Sequence, residues 1–148
     1  MSAILIVDDV MDDAHLIRRA VLGAHPKAAV AIVTSGAETK AYVEGAGQFA
    51  DREKFPYPSL ILLDLRMPEM NGFEVMQWLR SQPEHAAIPV IVISSFDRQR
   101  DIRKSYQLGA RTFLSKPVNP ESIRMAVRAL KLPIEFFDDP GAAQETGY

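Results

Sequence analysis

Apolar residues along this chain fall into two kinds of segment that alternate. Short runs, hydrophobic on both faces, read as strands: Ala3–Val7, Val30–Val33 and residues 60–63, 90–93 and 112–114. Between them, apolar positions recur at helical spacing. Leu16, Ile17, Ala20 and Val21 form one such face, with Arg18 and Arg19 on the other side. Phe73, Val75, Met76 and Leu79 form another, and Ile123, Ala126, Val127 and Leu130 the last. Ser35 is placed to cap a short helix from Gly36 that Gly45 and Gly47 close. The polar stretch 97–107 reads as a helix ending near Gly109. Five strand–helix units result. Strands apolar on both faces, each followed by a helix, indicate a parallel sheet covered on both sides, a doubly wound α/β fold with right-handed crossovers.

Two segments fall outside this scheme. Residues 48–58 form a polar, Pro-containing insertion before the third strand. Residues 134–148 form a tail that begins apolar with Ile134, Phe136 and Phe137 and turns rich in Gly and Ala, so roughly its last ten residues are expected to be disordered. The domain is therefore expected over 1–132, with a tail over 133–148. There is no internal repeat and no low-complexity tract.

Composition narrows the function classes. The chain has 148 residues, 47% of them hydrophobic, enough for one domain with one core. With no cysteine, thiol nucleophiles, thiolate metal sites and disulfides are excluded. Seventeen basic against nineteen acidic residues, net charge −2, argue against a nucleic-acid partner. The longest apolar runs are far too short to span a bilayer, and the first residues lack the basic region of a signal peptide. A cytoplasmic protein without membrane association is expected.

Four positions carry the chemistry, each at the end of a predicted strand: Asp8-Asp9, Asp64, Ser94 and Lys116. Ligands of open parallel sheets bind beyond the carboxyl ends of the strands, so these residues converge there. Three crowded carboxylates repel one another, and a hard divalent cation relieves them. Mg²⁺ takes one or two carboxylates plus phosphate oxygens, which suits phosphoryl transfer better than a structural cage. Lys116 supplies a point charge and Ser94 a hydroxyl for phosphoryl oxygens, leaving Asp64 as the nucleophile and an aspartyl-phosphate as product. Any one of these residues alone reads more simply as a helix cap or a loop residue. The joint pattern is what weighs against that.

The stretches Ile4-Leu5-Ile6-Val7-Asp8-Asp9, Leu62-Leu63-Asp64-Leu65-Arg66-Met67-Pro68-Glu69-Met70-Asn71-Gly72, Pro89-Val90-Ile91-Val92-Ile93-Ser94-Ser95 and Gly109-Ala110 through Lys116-Pro117 resemble the receiver domain of two-component response regulators, the CheY-like family. The likeness runs from about Ser2 to Leu132. It implies strand order 2-1-3-4-5 with helices on both faces. It also implies that Asp64 is the phosphoacceptor, and that Asp8, Asp9, Asp64 and the backbone carbonyl of Arg66 hold Mg²⁺. Ser94 and Lys116 match the switch hydroxyl and phosphate-binding lysine, with a cis Lys116-Pro117 bond. Such a chain is no enzyme in the ordinary sense; it assists its own phosphotransfer and dephosphorylation. Within the family, Asp12-Asp13-Ala14, the Ala50-Asp51-Arg52-Glu53-Lys54-Phe55 insertion and the Phe136-Phe137 tail are similar to stand-alone receivers paired with bacterial phytochromes.

On this reading, phosphorylation draws Ser94 inward and lets Phe113 rotate into the vacated space, biasing a bistable surface. Packing alone also explains a half-buried Phe113. Bulky Arg66 and Phe96, two positions beyond Asp64 and Ser94, are expected to hinder the attacking water and lengthen the phosphoryl lifetime. Sixteen residues after Leu132 are too few for an output domain. The expected partners are a sensor histidine kinase, of phytochrome type by resemblance, or a phosphotransfer protein. A homodimer through Ile134, Phe136 and Phe137 is a further expectation, whereas Trp78 reads as ordinary packing.

Rival readings are weaker. An Asp-based phosphohydrolase places a second acid two residues after the nucleophile, where this chain has Arg66. An FMN binder needs a phosphate loop after the first strand, but that loop holds Asp8, Asp9, Asp12 and Asp13. The glycines Gly45 and Gly47 mimic a dinucleotide fingerprint but follow a helix. His15, His25 and His85 show no ligand spacing. A receiver fold that binds or dimerises without phosphorylation is the remaining alternative.

Overall fold

The structure, a computed structural model, describes residues 2–95 and 98–132. Five parallel strands, β1 (Ala3–Val7), β2 (Val30–Val33), β3 (Pro58–Leu63), β4 (Val90–Ser94) and β5 (Thr112–Ser115), lie in the order β2-β1-β3-β4-β5. Five helices connect or follow them: α1 (Met11–Ala24), α2 (Gly36–Glu44), α3 (Gly72–Ser81), α4 (Gln99–Gln107) and α5 (Pro120–Leu130). The expected architecture and strand order are both present.

Alternation along the strands explains the two layers. Ile4, Ile6, Leu60, Leu62, Ile91 and Ile93 face one way and pack against Ala14, Ile17, Val21, Ile123 and Val127 of α1 and α5. Leu5, Val7, Ile61, Leu63, Val90 and Val92 face the other way and meet Tyr42, Val43, Val75, Met76 and Leu79 of α2 and α3. Both faces are dry, which is why these strands read as continuous apolar runs. Leu16, counted with the apolar face of α1 from its spacing, is instead 52% exposed, and Ile17 is the buried neighbour.

The stretch 48–58 is not simply a polar insertion. It opens with a short 3-10 turn (Gly47–Phe49) and buries Phe49 against Tyr42 and Phe55, with ring centroids 5.1 Å from Phe49 in both cases. Tyr42 donates its hydroxyl to the Pro56 carbonyl at 2.9 Å, and Arg52 donates to the Tyr42 and Val43 carbonyls at 2.9 and 2.7 Å. The guanidinium thereby reaches carbonyls in the last turn of α2, where helices run short of N–H donors, adding to the Gly45 N–H that the Tyr42 carbonyl accepts at 3.1 Å. Strand β3 accordingly starts at Pro58, two residues earlier than its apolar run suggests. Trp78 packs at home, half-buried, with Lys40 Nζ 5.5 Å from its ring centroid and the His85 ring beside it.

Candidate phosphoryl site

Backbone hydrogen bonds carry the sheet one residue past its strands and fix the site residues there. Asp8 N–H donates to Val33 O at 3.2 Å, Asp64 N–H to Val7 O at 2.9 Å, and Lys116 N–H to Ser94 O at 3.0 Å. Asp8, Asp64, Ser94 and Lys116 thus hang from one rim of the sheet, as the sequence predicted. Beyond β3 and β5 the helices start abruptly because they are capped, whereas α1 and α4 have no side-chain cap. Asn71 and Glu74 form a reciprocal capping box on α3, and Asn119 and Ser122 form one on α5. Gly72, read in the sequence only as the end of the family-like stretch, shapes the site itself. A Cβ there would lie 2.5 Å from the Asp64 carbonyl oxygen and 2.8 Å from Leu65 Cα, so only glycine lets α3 begin against the Asp64 loop.

Asp8, Asp9 and Asp64 each bring a carboxylate oxygen within 4.8 Å of the others. Asp8 and Asp64 are buried, while Asp9 is exposed and opens the cluster to water. Asp8 is already half-committed: its Oδ1 accepts the Val10 N–H at 3.0 Å. Its Oδ2 accepts from Lys116 Nζ at 2.8 Å. All-oxygen donors of this charge fit a hard divalent cation. Burial, partly opposed by Lys116 and reinforced by Asp8, pushes the Asp64 carboxyl up to about 6, while the Arg66 backbone N–H bonded to it pulls the other way. A carboxylate so destabilised is relieved by a cation. Burial pushes Lys116 down, but hydrogen bonds to Asp8 and Asp13 and the nearby Asp64 charge outweigh it and hold the ammonium above its ordinary range.

Lys116 lies 3.6 Å from Asp64 Oδ2, farther than from Asp8. Its second hydrogen bond, 2.9 Å, goes to Asp13 on the first turn of α1. In the sequence Asp13 stood only in the acidic stretch after β1 and in the Asp12-Asp13-Ala14 likeness, with no role of its own and nothing nearby to tie it to Lys116. The Lys116-Pro117 bond is cis, as the resemblance implied. Ser94 is fully buried and shares a strand face with Val92, which pairs with Phe113. Phe113 is half-buried on that same face, against the α2–α3 side of the core. Phe96 and the apolar tail residues lie outside the described residues.

Residues 4–128 match the family of response regulator receiver domains. The chain belongs to that family. As a receiver it is a phosphoacceptor rather than an enzyme that turns over a substrate, and its acidic cluster stands where such a protein accepts the group. Similar receivers serve phytochromes. The bacteriophytochrome response regulator RtBRR is 34% identical, with a TM-score of 0.79 over 90% of this chain and 80% of its own. The phosphorylated cyanobacterial phytochrome response regulator RcpA is 32% identical, with a TM-score of 0.72 over 92% of this receiver and 93% of its own length. Response regulator Rcp1 of Synechocystis is 28% identical over 130 residues, which is 88% of this receiver and 86% of Rcp1. Its Mn²⁺-bound form has been solved and matches with a TM-score of 0.67, at 27% identity over 88% of this receiver and 92% of that chain.

Proposed function

We propose that this receiver takes a phosphoryl group from a phosphohistidine of a sensor kinase, or of a phosphotransfer protein, onto Asp64. The observation that carries this is the meeting of three carboxylates and one ammonium at a single sheet rim, where Asp8 is already bonded to Lys116 and to the Val10 N–H while Asp64 stands 3.6 Å from the ammonium. Mg²⁺ is the cation of this reading, held by Asp8, Asp9, Asp64 and the Arg66 carbonyl, and when bound it supplies positive charge that screens the approaching phosphoryl oxygens. An Asp64 carboxylate oxygen attacks phosphorus, the P–N bond breaks, and the imidazole departs with that electron pair and then takes up a proton. The products are an acyl phosphate and a neutral histidine. Lys116 donates to one phosphoryl oxygen and Ser94 to another.

The new charge draws Ser94 toward Asp64, and Phe113, on the same sheet face, follows into the space. Arg66 hinders hydrolytic water, and a long phosphoryl lifetime is the consequence. Arg66, Arg98 and Arg100 flank an open cleft of about 510 Å³ beside the Asp64 loop, which favours approach of an anionic donor. A phytochrome-type kinase is the partner this reading favours, from the relatives named above. No helix among the described residues is long and apolar enough to cross a membrane. Incubation with Mg²⁺ and a small phosphodonor, read by intact mass, tests the proposal. One phosphoryl adduct, absent with EDTA and in Asp64→Asn, is expected. No adduct in the wild type, even with sensor kinases, favours a module that binds without phosphorylation.

A further inference from the structure

Lys116 is shared among three carboxylates, and the one nearest to solvent is not part of the cation cluster. Its Nζ lies 2.8 Å from Asp8 Oδ2, 2.9 Å from Asp13 Oδ2 and 3.6 Å from Asp64 Oδ2. An ammonium has three N–H donors, so two are committed away from the acceptor carboxylate before any phosphoryl group arrives. The two commitments differ in kind. Asp8 is fully buried and bonded to the backbone N–H of Val10, so its hold on Lys116 comes with the fold. Asp13 is 37% exposed, sits on the first turn of α1, and reaches Lys116 across 103 residues of sequence. Water replaces its contact at modest cost, as for any half-exposed ion pair.

We infer that Asp13 is a positioning residue, a latch that holds the Lys116 ammonium off Asp64 in the unphosphorylated state and competes with the phosphoryl oxygens for it. The inference rests on the phosphoacceptor reading of Asp64 and adds a residue to it. The bland alternative is an acid that favours the positive end of α1. Asp12, its neighbour on the same turn, is exposed and is not among the three carboxylates around Lys116, so it carries that helix effect and the general charge effect without the latch. If Asp13 restrains Lys116, removing its charge frees an N–H for the incoming group. Binding of a phosphoryl mimic then tightens, and phosphorylation by a small anionic phosphodonor reaches half its limiting rate at a lower donor concentration.

The test measures beryllofluoride affinity in the presence of Mg²⁺ for the wild type, Asp13→Asn, Asp12→Asn, Lys116→Gln and the Asp13→Asn/Lys116→Gln pair. Thermal melts check that each variant is folded. Asp13→Asn is expected to bind about three- to tenfold more tightly and Asp12→Asn within about twofold of wild type, as for surface charges near an anion site. The Asp13→Asn gain should vanish in the Lys116→Gln background, the signature of coupling through the lysine. Equal gains in Asp12→Asn and Asp13→Asn, weaker binding in Asp13→Asn, or a gain that survives Lys116→Gln would each overturn the latch. A wild type that binds no beryllofluoride overturns the phosphoacceptor reading itself, and the latch with it.

Discussion

Helices α1 and α4 both run beside the same sheet, yet they are built on different terms. Helix α1 buries Ala14, Ile17, Ala20, Val21 and Ala24, and approaches α5 so closely that a Cβ on Gly23 would lie 2.7 Å from Pro120 Cγ. Helix α4 buries only Ser105, whose hydroxyl donates back to the Asp101 carbonyl at 2.8 Å. The rest of α4 is Gln, Arg, Lys, Asp and Tyr around a half-buried Ile102. The difference maps onto the site. Asp8, Asp13 and Lys116 belong to the tightly packed side, whereas Ser94 leads directly toward α4. On the proposed phosphorylation of Asp64, a signal would therefore meet a well-packed helix on one side and a weakly anchored one on the other. Conformational response follows the lower local stability.

Truncating Ile17 to Ala should expose that contrast most sharply. It is 4% exposed within the α1–α5 layer, and its loss is expected to cost about 3 to 4 kcal/mol in urea unfolding. Lys116→Met comes next. It leaves the fully buried Asp8 without its ammonium, at a cost of about 3 kcal/mol at neutral pH without divalent cation. Added Mg²⁺ should recover part of that loss, and unfolding midpoints with and without the ion check it.

Asp64→Asn moves stability the other way. In the cation-free protein Asp64 titrates at about 6 against an ordinary 3.8, so the folded state binds more protons between those values. Its contribution is fully present below about pH 4 and is lost as pH rises through 6. The wild type thus loses stability across that window relative to Asp64→Asn, by at most about 3 kcal/mol at neutral pH. Thermal midpoints from pH 4 to 8 for both proteins give the curve. Ile102→Ala on α4 should change stability least, by under about 1 kcal/mol, because its side chain is only half-buried.

The sequence made the sheet legible because both strand faces are buried, leaving unbroken apolar runs at Ala3–Val7 and in β3 and β4. The rim residues were legible for a related reason: a charge directly after such a run has nowhere to go but the strand's end. Strand order was not in the pattern and came with the family resemblance. The aromatic packing of Phe49 and Phe55 on Tyr42 was hidden because Phe49 and Phe55 lie beyond α2, in a stretch with neither a helical nor a strand period. Leu16 and Ile17 are adjacent and equally apolar, and only the helix's rotation against the sheet decides which is buried. The Asp13–Lys116 bond joins residues too far apart in sequence for any local signal to report it.

Peptide-level amide hydrogen exchange, recorded before and after phosphorylation of the wild type, tests the contrast most directly. The account predicts that exchange changes at the end of β4, in α4 and around Phe113, while α1 and α5 keep their protection. Equal change in α1 and α4, or none in α4, would contradict it.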